Sequence, residues 1–188
     1  AYADELAALM AHAFAHMQAP DGESVYLRLS TRSIAQAERS DDGWQAGAIA
    51  GGYWLRAPGP RAEAAIVAMG ALMPEALAAW DALKDEVPGL GLLAVTSPDL
   101  LHRGWRQDGD ASHVAGLLGA LPAGARLVTL CDAAPAALSW LGGVLGMRVV
   151  PLGVDRFGQT GDLPDLYGTY RLDVEAVTAA MARALTGH

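Results

Sequence analysis

Cationic side chains set beside aromatic rings are the most openly chemical feature of this chain. Leu100-Leu101-His102-Arg103-Gly104-Trp105-Arg106 joins cations to a tryptophan, and Arg32 stands apart, just after Leu29-Ser30-Thr31. Guanidinium groups hold carboxylates and phosphates through paired N–H donors. Arg32, His102 and Arg103 are therefore the candidates for contact with an anion or an anionic substrate. Each has a plainer use. Arg32 could serve a surface ion pair, and the 100–106 stretch suits a subunit interface, where Trp and Arg are enriched.

The remaining reactive residue types make weaker patterns. Cys131 is the only cysteine, so the chain has no internal disulfide and no cysteine-based zinc cluster. Its place at the end of an apolar run reads as packing, although a helix starting near Ala134 would be the setting that lowers a thiol pKa. Ser139, between Leu138 and Trp140, lacks the flanking glycines of a nucleophile elbow. His12, His16, His102, His113 and His188 form no HExxH or comparable ligand set, so no metal site is expected. Gly70-Ala71-Leu72-Met73-Pro74 lacks both the GxGxxG pattern and the lysine of a phosphate loop, and reads as a tight turn.

The elements that must position these groups follow from periodicity. Leu6, Leu9, Met10, Ala13 and Met17 recur at helical spacing until Pro20-Asp21-Gly22, and Val25, Leu27 and Leu29 then alternate as in a strand. Residues 30–42 are polar and aperiodic, which suits a connector. Strands are expected at Tyr53 to Arg56, Ala64 to Met69, Gly91 to Thr96, Arg126 to Cys131 and Met147 to Val150. Helices are expected from Met73-Pro74-Glu75, Ser97-Pro98-Asp99 and Asp132 onward, each with proline or a capping residue at its start. A closing helix runs from Asp173 as cap through Val174, Val177, Met181 and Leu185, with Gly187 beyond its end.

This alternation predicts an α/β/α sandwich with a mostly parallel five-stranded sheet. The link Ala57 to Arg61 is too short for a parallel crossover, so Tyr53 to Arg56 should pair antiparallel with the strand that follows.

Composition excludes several functions. Of 188 residues, 52% are hydrophobic and 18% charged, as in folded domains and unlike disordered chains. Lys and Arg number 13 against 21 Asp and Glu, a net charge of −8 with no basic stripe, which argues against nucleic acid. No apolar run reaches the roughly 18 residues that span a bilayer. The first residues carry Asp4 and Glu5 in place of a basic leader, so the cytoplasm is the expected location.

The most specific wording lies near the end. Val149 to Val154 reads as a buried strand delivering Asp155-Arg156-Phe157-Gly158-Gln159-Thr160-Gly161-Asp162-Leu163-Pro164-Asp165-Leu166-Tyr167. A turn needs only Gly, Asn, Asp or Pro. The added Arg, Phe and Gln suit an intersubunit or interdomain clamp through Asp155, Arg156, Phe157, Gly158 and Gln159; the alternative is a self-contained turn held by Asp162 and the glycines.

That loop resembles the last loop of the C-terminal domain in the transketolase superfamily, closest to the homodimeric pyruvate dehydrogenase E1 component. Tyr2 to Met17 with Val25 to Thr31 is similar to the end of the E1 pyrimidine-binding domain, and Ala94-Val95-Thr96-Ser97 to a strand end in its C-terminal domain. The resemblance implies two parts: 1–42 as the tail of the pyrimidine-binding domain and connector, and 43–188 as the C-terminal domain with one antiparallel edge strand. It implies a parent enzyme that uses thiamine diphosphate and magnesium on a 2-oxo acid, pyruvate by preference, as a homodimer, with a lipoyl acyltransferase as a further partner.

The residues that would grip this cofactor lack matching motifs here, since Asp108-Gly109-Asp110 has the wrong order for the Gly-Asp-Gly start. The chain is thus expected to bind no cofactor and to complete a dimer. In the family's transketolases an arginine placed like Arg32 meets a substrate phosphate. The competing expectation is a free-standing module holding a small anion with Arg32, Arg103 and Arg106.

Overall fold

The computed structural model describes residues 1–39 and 43–187; the end of the expected connector, 40–42, and His188 lie outside the described residues. Five strands form one sheet in the order β1-β3-β2-β4-β5: β1 (Gly52–Arg56), β2 (Ala64–Met69), β3 (Gly91–Val95), β4 (Arg126–Leu130) and β5 (Arg148–Leu152). All neighbours are parallel except β1, which runs antiparallel to β3.

The central strands are apolar without interruption because both of their faces are covered. Ala64, Ile66 and Ala68 of β2 face one core, while Ala65 and Val67 face the other. On the first face lie α3 (Met73–Leu83) and the closing helix α9 (Val174–Thr186). On the second lie α4 (Pro98–Asp108), α5 (His113–Leu118), α6 (Ala136–Ser139) and α7 (Gly142–Leu145), which supply Leu101, Val114, Leu118, Leu138 and Val144. Helices on both faces make the expected α/β/α sandwich. The helix α9 is capped as the sequence implies: Asp173 Oδ1 accepts from Ala176 N at 2.8 Å, and Gly187 ends it at φ +80°.

Three expectations need correction. The edge strand β1 is antiparallel but pairs with β3, not with the strand that follows it. The short link passes across the chain entering β3, where Gly59 N donates to Gly89 O at 2.9 Å. The crossing depends on bare backbone, since a Cβ on Gly59 would lie 3.0 Å from Gly89 Cα. Second, β5 is half-exposed, not buried, because it ends the sheet, and it continues through Pro151 opposite Thr129. Third, Val25 to Leu29 is no strand. The segment is extended, yet no backbone-to-backbone hydrogen bond holds residues 23–31 among the described residues, and alternation alone gives no strand without a ladder partner.

The first helix, α1 (Ala3–Met17), forms where expected, but its apolar stripe is only partly covered, with Leu6 and Leu9 half-buried. Tyr2, Glu5 and Ala13 are buried, whereas Met10, Phe14 and Met17 face out. The helix packs against α2 (Trp44–Ile49), and its N-terminal end reaches β1 through Tyr53. There the Glu5 carboxylate accepts from Tyr2 N at 2.9 Å and from Tyr53 Oη at 2.7 Å. Arg39 closes this node, paired with both oxygens of Asp4 at 2.5 and 2.9 Å and stacked 4.1 Å from the Trp44 ring.

Candidate functional site

In an open parallel sheet, ligands bind outside the carboxyl ends of the strands, where adjacent connections leave toward opposite faces. Here that point lies between β2 and β4, because β2 leads into α3 on one face and β4 into α6 and α7 on the other. Gly70 ends β2 at φ +66°, a left-handed turn that glycine adopts without strain. It faces Asp132, just past β4, and a Cβ at Gly70 would stand 3.4 Å from Asp132 Oδ1. The tight-turn reading of Gly70 agrees with this geometry.

The N-terminal segment lies over this edge. Arg28 reaches Asp132 with its two terminal nitrogens at 3.3 and 3.4 Å. Four residues on, Arg32 holds Glu75 in a two-pronged pair at 2.7 and 2.8 Å, donates to Ala71 O at 2.8 Å, and lies 5.4 Å from the centre of the Tyr167 ring. The Glu75 bond raises the Arg32 pKa, and burial raises that of Tyr167. Arg32 thus has an internal carboxylate partner, as in the ion-pair alternative to contact with an external anion. Beside it, Arg32, Glu75, Leu163, Pro164, Tyr167 and Asp173 line a cavity of about 340 Å³ between α3, α9 and α8 (Leu163–Tyr170).

The other sequence candidates fall elsewhere. Arg103 pairs with Glu23 and Asp99, both at 3.4 Å, so it too meets the N-terminal segment. His102 packs edge-on against Trp140 with ring centres 4.9 Å apart, and Trp140 stacks on Trp105 at 5.7 Å. Together they form an aromatic patch of half-buried rings on α4 and α6, apart from the Arg32 pair.

Cys131 is buried, its thiol directed at the carbonyls of Ala133 and Ala134, and burial pushes its pKa up. A nucleophile would need the opposite shift. The helix after it begins at Ala136, later than expected.

The 155–159 loop is tethered to α8. Arg156 donates to Thr169 O at 2.6 Å and lies over the Tyr170 ring, whose hydroxyl donates to Phe157 O at 2.8 Å. Phe157 itself is 98% exposed, and Asp155, Gly158 and Gln159 are exposed with it. Asp162 makes no side-chain cap on α8, so the loop is held by Arg156 and Tyr170.

Sequence reading missed Glu75, Asp132, Tyr167 and Tyr170 as partners. A carboxylate in the first turn of α3, at the carboxyl end of β2, was the available signal for Glu75.

The fold and this edge define an α/β sandwich of the transketolase C-terminal type. Solved transketolases share it. The enzyme from Leishmania mexicana aligns over 76% of this chain and 19% of its own, at 21% identity and a TM-score of 0.57. A Pichia stipitis transketolase in complex with xylulose 5-phosphate aligns over 82% of this chain and 20% of its own, at 20% identity and TM-score 0.61. A split-gene transketolase, an inactive β4 tetramer, aligns over 73% and 43%, at 19% and 0.53. This chain therefore spans about a fifth of the first of these enzymes, and the likeness is one of fold. No protein-family model and no curated protein matches the sequence.

Thiamine diphosphate with magnesium needs metal ligands and a diphosphate cradle. Among the described residues there is no group of three or more His, Cys, Asp or Glu that could hold a metal ion. Asp108-Gly109-Asp110 lies at the end of α4 with both aspartates exposed. No helix among the described residues is long and apolar enough to cross a membrane.

Proposed function

We propose that this chain is the C-terminal, dimer-completing part of a thiamine-diphosphate-dependent enzyme acting on a 2-oxo acid, of the homodimeric pyruvate dehydrogenase E1 or transketolase type. Residues 43–188 are its C-terminal domain, and 1–42 are the tail of the pyrimidine-binding domain with its connector. The cofactor, its magnesium and the catalytic groups belong to the rest of the parent chain, and the lipoyl acyltransferase is the parent's further partner. Alone, this chain does not turn over substrate.

The observation that carries the reading is the α1 surface. A helix with Met10, Phe14 and Met17 outward, followed by an extended Val25 to Leu29 without a ladder, is what a domain tail separated from its own sheet should leave. The transketolase-like sheet and the E1-like loop after β5 support the same assignment. A small-anion module is disfavoured because Glu75 already neutralises Arg32.

Isothermal titration with thiamine diphosphate and magnesium tests the reading. No binding heat is expected from the chain alone, and tight binding overturns it. Light scattering adds a second arm: the uncovered α1 face predicts self-association, and a strict monomer at all concentrations counts against the domain-tail assignment.

A further inference from the structure

The segment lying across the sheet edge is held very unevenly. Its two ends are anchored: at one, Tyr2 and Glu5 are buried against Tyr53, and at the other Arg32 is locked on Glu75 with its side chain only 23% exposed. Between these anchors the hold is slight. Apart from the short turn that links Ala19 and Gly22 to the end of α1 and the bond from Glu23 N to His16 Nε2 at 3.2 Å, polar contact with the sandwich rests on Arg28 with Asp132 and Glu23 with Arg103.

Both pairs are long and open to water. The side chains of Arg28 and Asp132 are 60% and 30% exposed, and those of Arg103 and Glu23 are 53% and 71% exposed. Exposed pairs of this kind contribute little and are screened by salt. Apolar cover is partial: Tyr26 and Leu29 are 86% and 61% exposed, while Val25 and Leu27 are about two fifths exposed and none of the four is buried. The edge beneath is the β2/β4 crevice of Gly70 and Asp132, the place where this class of sheet receives ligands.

We propose that residues 18–31 form a flap over the carboxyl edge of the sheet, hinged at Arg32 and at the end of α1, closed by the Arg28–Asp132 and Glu23–Arg103 pairs and released by ionic strength. Opening uncovers the Gly70 and Asp132 crevice without disturbing either anchor. The inference concerns this chain as it stands and does not rest on the enzyme reading. In a longer parent, the same two pairs would be a releasable seam between the segment and the sandwich.

Spin labels at Tyr26→Cys and Gln107→Cys, in a Cys131→Ser background, report the flap against α4. At about 20 mM salt one narrow distance is expected; at about 500 mM, where the screening length shrinks to a few ångströms, the distribution should move outward and roughly double in width. Asp132→Asn should give the open distribution already at low salt, and the swapped pair Arg28→Glu with Asp132→Arg should restore the narrow one. Circular dichroism at both salt concentrations checks that the sandwich stays folded. A distribution insensitive to salt and to Asp132→Asn, broad or narrow, overturns the flap. So does a salt-driven opening that the swapped pair fails to close at low salt.

Discussion

The sandwich and the segment that precedes it are built on opposite physical principles. In the sandwich, Ile66, Leu92, Leu93, Leu127 and Leu130 are fully buried, and the sheet is covered on both faces. In the first 39 residues the buried set is Tyr2, Glu5 and Ala13, and attachment depends on guanidinium groups: Arg28 and Arg32 each meet a carboxylate of the sandwich, and Arg39, paired with Asp4 inside the segment, reaches Tyr53 Oη at 3.2 Å and the Trp44 ring. Burial of apolar area is non-directional and insensitive to salt, whereas ion pairs are directional and gain strength only as water is excluded. The segment should thus be graded in strength along its length, tightest at Arg39 and Arg32 and weakest at Arg28.

The largest effect that would sharpen this contrast is in the sheet. Leu127→Ala should cost roughly 2–5 kcal/mol in urea unfolding, because the surrounding core closes only partly around the lost methyl groups. A cost near zero would break the idea that burial carries the sandwich.

Next comes alkaline pH, which probes the Glu5 node. Burial, with Glu5 adding to it, pushes Tyr2 up from its ordinary 10.0 to about 12, and burial also raises Tyr53. The unfolded chain loses these protons first, so stability is full below pH 10 and declines as pH rises toward 12. The loss is about 1.4 kcal/mol per unit for each such tyrosine. Tyr2→Phe should flatten its share of that decline, measured as the melting temperature between pH 9 and 11.

Gly153→Ala should cost about 1–3 kcal/mol by crowding. Its Cβ would stand 2.6 Å from Ala133 O and 2.9 Å from Pro135 N, and both are backbone atoms that yield poorly. The smallest effect is at the weak end of the segment. Arg28→Ala should change stability by no more than about 1 kcal/mol, with the difference vanishing at high salt. A large, salt-independent cost would erase the contrast between the two regions.

Sheet class and most element positions were legible in the sequence because they depend on local signals. Apolar runs, proline in the first turns of α3 and α4, and the Asp173 and Gly187 ends of α9 act within a few residues. Which strand lies beside β1 was not legible, since a link of a few residues can either turn back beside the next strand or step past it. Here the Gly59 and Gly89 approach permits the second.

The alternation at Val25 to Leu29 was read correctly as a pattern, yet a strand also needs a neighbour, and periodicity does not report one. Arg32 was visible as a notable charge. Its partner Glu75 lies 43 positions away, at a distance only the fold closes.

The outermost strand has a consequence for how copies of this chain can meet. At β5 the sheet ends on backbone with no further strand beside it among the described residues, and such an edge invites a neighbouring molecule to extend it. Pro151, exposed in the middle of β5, has no amide hydrogen to give. One missing donor interrupts the template and weakens any extension of the sheet by a further strand at that rim.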